Sequence, residues 1–169
     1  AAPFGTIGLS LAAVANVNRT GFHDLWQPSP GGEIAAGAPF YLGRVELGAE
    51  RMSFDGRGDT PDYRAWFVFA GWGLDVRLLR SLGWEPGVRV GNYAMRFSGA
   101  GIPDHRRAES ELGAEAVSRI VWGFAPEWHL LLTGRYRAVL TEPGIRHALV
   151  DVGVRRTIGT PRWLRDFLD

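Results

Sequence analysis

The amino-acid sequence predicts an all-β chain, an eight-stranded antiparallel up-and-down transmembrane β-barrel with a short C-terminal amphipathic helix. Three observations carry that prediction. Apolar residues alternate with small or polar ones in segments of roughly the ten residues that a barrel strand needs. The apolar stripes carry aromatic residues near their ends. The connections between segments tend to alternate between long and short. The stretch from Trp128 to Leu140 shows the first two together. One parity reads Trp128, Leu130, Leu132, Gly134, Tyr136, Ala138 and Leu140, and the other His129, Leu131, Thr133, Arg135, Arg137 and Val139. Successive side chains of a strand point to opposite faces, so one face is apolar and the other carries two arginines and a histidine. In a membrane barrel the apolar face meets lipid and the polar face meets the lumen.

Composition bounds the function classes. A chain of 169 residues with 46% hydrophobic content is one folded domain, here 1–169. No apolar run approaches the ~18 residues of a transmembrane helix, which leaves barrel strands untouched as a way across. A net charge of +1 offers no bulk electrostatic case for nucleic acid. All 19 basic residues are arginine, and there is no cysteine, hence no disulfide and no thiolate metal site. The 23 glycines suit strands that approach closely, and the 7 tryptophans suit a membrane interface. The start, Ala1-Ala2-Pro3, reads as the residue of a cleaved signal peptide.

The first strand covers 5–18, with Ile7, Leu9, Leu11, Ala13, Ala15 and Val17 on one face and the small or polar Thr6, Gly8, Ser10, Ala12, Val14 and Asn16 on the other. Residues 19–31 hold Asp24, Pro28, Pro30 and Gly31 and read as a loop. Residues 32–54 are too long for one strand, and Pro39 divides them into 32–38 and 42–54. In the second piece Arg44, Glu46, Gly48 and Glu50 share the face opposite Val45 and Leu47. A loop at 55–62 leads to a strand over 63–77, apolar on both faces in its first half. Its Trp66, Val68, Ala70 and Trp72 are assigned to lipid because Asp75 and Arg77 fall on the other parity. A turn with Gly83 and Pro86 precedes a strand at 87–98 whose facing the pattern does not fix. After a polar loop, the strand over 111–123 sends Leu112, Ala114, Ala116, Ile120 and Trp122 outward and Glu115, Val117 and Arg119 inward. Strands 128–140 and 146–158 complete the eight, the last with Asp151 and Arg155 opposite Val150, Val152 and Val154. In the tail, Thr160 can cap and Pro161 suits the first position of a helix over 161–168. Trp163, Leu164, Phe167 and Leu168 then share one side, as in a helix lying on a membrane surface or one packed against another part of the protein. Eight strands, rather than seven, put the long connections 19–31, 55–62 and 99–110 at one end and the short ones at 39–41 and 124–127 at the other; the short 141–145 is the exception.

On these features the chain resembles small bacterial outer-membrane β-barrel proteins of the broad eight-stranded, OmpA-like or porin-like class. The carrying stretches are GTIGLSLAAVANV, FYLGRVELGAERMSF, WHLLLTGRYRAVL and the closing VDVGVRRTI. The resemblance implies residence in the bacterial outer membrane after export with a cleaved signal peptide. It implies contact with outer-membrane lipids, lipopolysaccharide and other outer-membrane proteins, and no cofactor. One departure is that such barrels usually end at an aromatic residue of the last strand, whereas here the strand runs into a charged tail with Phe167 near its end.

The inward set comprises the acids Glu46, Glu50, Asp75, Glu115 and Asp151 and the arginines Arg44, Arg77, Arg119, Arg135, Arg137 and Arg155. An eight-stranded barrel is only wide enough for side chains to fill it, and buried charges must pair. The near balance therefore reads as a network that plugs the lumen, with a narrow polar path or a small-ligand site as the competing reading. The aromatics expected at the interfaces are Trp66, Trp84, Trp122, Trp128, Tyr136 and Trp163. Four histidines raise the question of catalysis. His23 and His105 fall in loops, His129 and His147 in strands, and no pair has metal-site spacing. His105 near Ser110 and Asp104 comes nearest to a nucleophile–base–orienter set, and a solvated loop explains it as well. Arg106 and Arg107 stand in an external loop where lipopolysaccharide phosphates or a partner could meet them. Three functions follow. The first is a structural or interaction barrel of the outer membrane, and the second a lipid-modifying barrel enzyme of the lipid A deacylase or acyltransferase kind. The third is a soluble calycin-like barrel with the apolar faces turned inward.

Overall fold

The computed structural model describes residues 4–18, 22–99, 107–142 and 144–161. Within them the strands are β1 (Thr6–Asn16), β2 (Trp26–Phe40), β3 (Gly43–Gly56), β4 (Asp62–Leu74), the two-residue β5 (Val76–Arg77), β6 (Leu82–Ser98), β7 (Ala108–Ala125), β8 (Trp128–Val139) and β9 (Ile145–Gly159). One helical turn, α1 (Phe22–Leu25), lies between β1 and β2. Each long strand pairs antiparallel with its neighbour in sequence. β4 pairs with β6 from Asp62↔Ser98 to Gly73↔Gly87, past the small β5 in the turn between them. β1 pairs with β9 from Thr6↔Gly159 to Asn16↔Leu149, so eight long strands close on themselves in up-and-down order. Closure removes every sheet edge, which a wall facing hydrocarbon requires. The ends of the chain are fastened by Phe4 N–H to the Pro39 carbonyl at 3.0 Å and by the Thr160 hydroxyl to the Phe4 carbonyl.

The side-chain parities run unbroken around the wall. Leu11 (60% exposed), Ile34 (62%), Leu47 (66%), Val68 (57%), Val90 (55%) and Leu132 (52%) stand on the outside. The lumen-facing parity is buried and contains all the charged residues that are nearly inaccessible. This orientation excludes the soluble barrel with an apolar cavity: the apolar stripes are outside and the arginines inside. The lumen has two storeys. At the end where the longer connections lie, Met52, Phe54, Tyr63, Phe67, Tyr93, Met95, Val139 and Leu149 form an apolar core, with Phe22 and Trp26 packed against it. Phe54 and Tyr63 stack at 4.4 Å, and Phe22 meets Phe54 edge-on at 5.6 Å. Charged residues fill the middle and the end that holds the short turns and both chain termini.

Several boundaries differ from the pattern reading. β2 begins at Trp26 rather than 32, running across Pro28 and Pro30 with a bulge between Ser29 and Gly32. A bulge is where a ladder tolerates residues that cannot donate. Pro39 does not end the strand; it pairs with Arg44, and the turn is made by Tyr41 and Leu42, Tyr41 at φ 51°. β6 begins at Leu82, so Glu85 and Pro86, assigned to a turn, are strand residues opposite Arg119 and Ser118. β4 stops at Leu74, where Asp75 turns to donate its N–H to the Leu42 carbonyl at 3.4 Å. The tail helix 161–168 lies outside the described residues except for its first position, as do Ala1–Pro3, Trp163, Asp104, His105 and Arg106.

Candidate functional site: the charged lumen

Strand alternation delivers one charged residue after another to the same interior column. β3 contributes Arg44, Glu46 and Glu50; β6 contributes Glu85 and Arg89; β7 contributes Glu115 and Arg119; β8 contributes Arg135 and Arg137; β9 contributes Asp151 and Arg155; β2 adds Glu33. The carboxylates Glu33, Glu46, Glu50, Glu85, Glu115 and Asp151 thus face the guanidinium groups of Arg44, Arg89, Arg119, Arg135, Arg137 and Arg155, and the formal charges cancel.

Arg135 sits at the centre. One nitrogen lies 2.7 Å from Glu50 and 2.7 Å from Asp151; the other lies 3.1 Å from Glu33 and 3.2 Å from Glu115. Arg137 reaches Glu50 at 2.8 Å and donates its Nε–H to Glu115 at 2.7 Å. Arg89 donates to Glu46 at 2.6 Å and Glu33 at 2.9 Å. Toward the turn end, Arg119 bridges Glu46 (3.3 Å) and Glu85 (3.1 Å), and Arg155 holds Glu85 in a two-pronged pair at 2.6 and 2.8 Å. The planar guanidinium fork is the side chain that can serve two carboxylates at once, which a lysine ammonium does less well. Each ion alone in the lumen would cost several kcal/mol of desolvation, so the groups are tolerable only as a set.

Small residues on the wall make room for this set. A Cβ on Gly8 would overlap the Arg44 guanidinium, and one on Gly113 would come 2.9 Å from the Phe67 ring. Phe67 and Phe69 roof the network: the Arg137 guanidinium lies 4.2 Å over the Phe67 ring and that of Arg89 4.1 Å over Phe69. The apolar storey and the charged storey are therefore packed as one body, with cation–π contacts at the junction.

Among the expected lumen residues, Arg44, Glu46, Glu50, Glu115, Arg119, Arg135, Arg137, Asp151 and Arg155 lie on the interior face. Asp75 and Arg77 do not join the network; they are exposed at the turn-end mouth. There, with Arg44, Arg80, His129 and Arg155, they border an open vestibule of about 230 Å³. Glu33, Glu85 and Arg89 also belong to the network, beyond the inward set that alternation predicts. The pattern gives the strand of Glu33 no facing, takes the proline beside Glu85 for a turn, and leaves the parity of the strand with Arg89 undecided. Trp66, Trp84, Trp122, Trp128 and Tyr136 are on the outer face, and Trp84 donates its indole N–H to the Ser118 hydroxyl at 3.0 Å.

The histidines do not assemble a catalytic set among the described residues. His147 is buried between Asn16 (2.9 Å) and the Tyr93 hydroxyl (3.3 Å), with no serine beside it. Ser110, proposed as a nucleophile, accepts from the Asn92 amide on the outer face. Among the described residues no group of three His, Cys, Asp or Glu side chains is placed to hold a metal ion.

No family model matches the chain, and no curated protein matches it. Solved structures do. Neisserial surface protein A superposes with a TM-score of 0.69 at 15% identity, over 92% of this chain and 99% of that one. The N-terminal β-barrel domain of Pseudomonas aeruginosa OprF gives 0.57 at 10% identity, over 92% and 99%. Ail, the attachment invasion locus protein of Yersinia pestis, gives 0.53 at 12% identity, over 90% and 95%, and is also known in complex with the heparin analogue sucrose octasulfate. The fold is that of the small eight-stranded barrels of bacterial outer membranes.

Proposed function

We propose that this chain is an outer-membrane barrel with a structural or interaction role, exported with a cleaved signal peptide. In this reading its lumen is sealed by the arginine–carboxylate network, and its external loops contact partner proteins or lipopolysaccharide. The observation that carries the reading is the pairing of a continuous apolar exterior with a charge-neutral, filled interior. An exterior of that kind is stable only in lipid. An interior of that kind is occupied by side chains that pair with one another. Function is then left to the rims and loops, which is where such a scaffold presents variable surface. The end with the short turns and termini faces the periplasm, and the end with the longer loops faces outward.

Two measurements test this. The purified protein should require detergent and show a heat-modifiable gel shift; a water-soluble monomer refutes membrane residence. In planar bilayers it should be electrically silent, and steady conductance through wild-type protein refutes the sealed lumen. A lipid-modifying enzyme is the alternative. Acyl-transfer or hydrolysis activity on lipid A or phospholipid in detergent, lost in His105→Ala or His129→Ala, would replace the structural reading.

A further inference from the structure

On three neighbouring strands the outer apolar stripe ends in the same way toward the loop end. Outward residues of β3 run Val45, Leu47, Ala49, then Arg51. Those of β4, read in the same direction, run Trp72, Ala70, Val68, Trp66, then Arg64. Those of β6 run Val88, Val90, Asn92, Ala94, then Arg96. Arg64 and Arg96 are direct cross-strand partners, and Arg51 stands diagonally from Arg64, one outward position below Ser53. The Arg51 guanidinium lies 5.7 Å over the Trp66 ring, at the edge of the apolar belt. All three side chains are exposed, and among the described residues no ion pair joins any of them to an acid. The outward acids nearest in register, Asp55 and Asp62, sit beyond them toward the loops, and Asp62 accepts the Gly56 N–H at 2.7 Å.

Like charges directly opposite on a sheet face repel, so this arrangement costs stability unless an anion lies between them. At the turn end the corresponding outward arginine, Arg156, is answered within the protein: Glu127 is 3.8 Å away and Trp128 lies beneath it. At the loop-end rim of β3, β4 and β6 the three outward arginines have no such partner among the described residues, and they stand where the outer apolar stripe ends.

We infer that Arg51, Arg64 and Arg96 form a binding site for the phosphates of lipid A, the phosphorylated glycolipid anchor of lipopolysaccharide. This rests on the outer-membrane reading above. A lipid A molecule carries its phosphates immediately above its acyl chains. With those chains laid on Leu47, Val68 and Val90, the phosphates meet three forked donors without either part leaving its own environment.

The test uses full-length protein folded in detergent, wild type and R51Q/R64Q/R96Q. R146Q, which removes an outward arginine of β9 away from this cluster, serves as control. Binding of bisphosphorylated lipid A, enzymatically dephosphorylated lipid A, phosphatidylglycerol and inorganic phosphate is measured by tryptophan fluorescence and native mass spectrometry. At about fivefold per arginine beside an anionic headgroup, the triple variant should bind bisphosphorylated lipid A about a hundredfold more weakly. R146Q should bind nearly as wild type does. Equal binding by wild type and triple variant, or equal binding of phosphorylated and dephosphorylated lipid A, overturns the inference. Phosphatidylglycerol or inorganic phosphate bound as tightly as lipid A also overturns it. The heat-modifiable shift is read on every sample. If wild type fails to fold in detergent, the membrane reading itself fails; if all fold and binding is unchanged, only this inference does.

Discussion

Arg137→Met tests the network where it is most enclosed. Arg137 is almost wholly buried, ties Glu50 to Glu115, and lies beneath the Phe67 ring. Methionine keeps much of the stem and its contact with Phe67 while removing the charge and the forked donors. The lumen is left with one carboxylate in excess. Breaking a buried pair by removing one partner costs about 3–5 kcal/mol. Here each carboxylate keeps another partner, Glu50 through Arg135 at 2.7 Å and Glu115 through Arg135 at 3.2 Å. The lower end, about 3 kcal/mol, is therefore expected. For an unfolding slope of about 2 kcal/mol/M in urea, the midpoint should fall by about 1.5 M, read by the gel shift of detergent-folded protein. Adding Glu50→Gln restores the balance of charge and should recover a measurable part of that loss, a coupling of roughly 0.5–3 kcal/mol. A midpoint shift under roughly 0.25 M for Arg137→Met, the range of a surface change, refutes the reasoning. So does a double variant whose loss equals the sum of the two singles.

The outer face makes a separate prediction. Leu132 stands outward between Ile120 and Val152, and Leu132→Arg should cost about 2–4 kcal/mol in a bilayer, seen as a lower urea midpoint in lipid vesicles. Gly113→Val places a side chain against the Phe67 ring, so it should lose about 1–3 kcal/mol, and Phe67→Leu in the same chain should regain part of that. His147→Leu leaves the Asn16 amide and Tyr93 hydroxyl without their partner, and should lower the midpoint by about 1–3 kcal/mol.

Parity was the legible part of this chain. Leu9 and Leu11 against Ser10 and Ala12, or Leu130 and Leu132 against Leu131 and Thr133, assign faces once the wall is known to meet lipid, because alternation survives any error in strand ends. What escaped did so where local chemistry masks alternation. Glu85 precedes Pro86, and a Trp-Glu-Pro-Gly run reads as a turn although it is paired strand. Arg89 between Val88 and Val90 carried a usable signal, obscured by the glycines at 87 and 91. The reverse error befell Asp75 and Arg77, where the parity of β4 was extended past Leu74, the residue at which the strand ends. Phe67 and Phe69 share β4 with Trp66 and Val68, and no pattern within one strand tells which apolar face is inside. The deciding residues are elsewhere, at Gly48 on β3 and Gly113 on β7, whose missing side chains leave the space those rings occupy.

The seam between β1 and β9 has a consequence for assembly. Its ladder joins Thr6 to Gly159 and Asn16 to Leu149, contacts between opposite ends of the sequence. Every other pair of adjacent long strands is consecutive in the chain, apart from the two-residue β5 between β4 and β6, and can form locally; this one waits for the whole barrel wall to be in place. Contacts of such sequence separation are slow to form, because the loop-closure entropy is lost before the contact is gained. Until then β1 and β9 each present an open edge and a lipid-facing stripe, a state liable to pair with other chains. The last step of folding is thus the one that both insulates the backbone from hydrocarbon and encloses the ions of the lumen, so neither protection exists before the other.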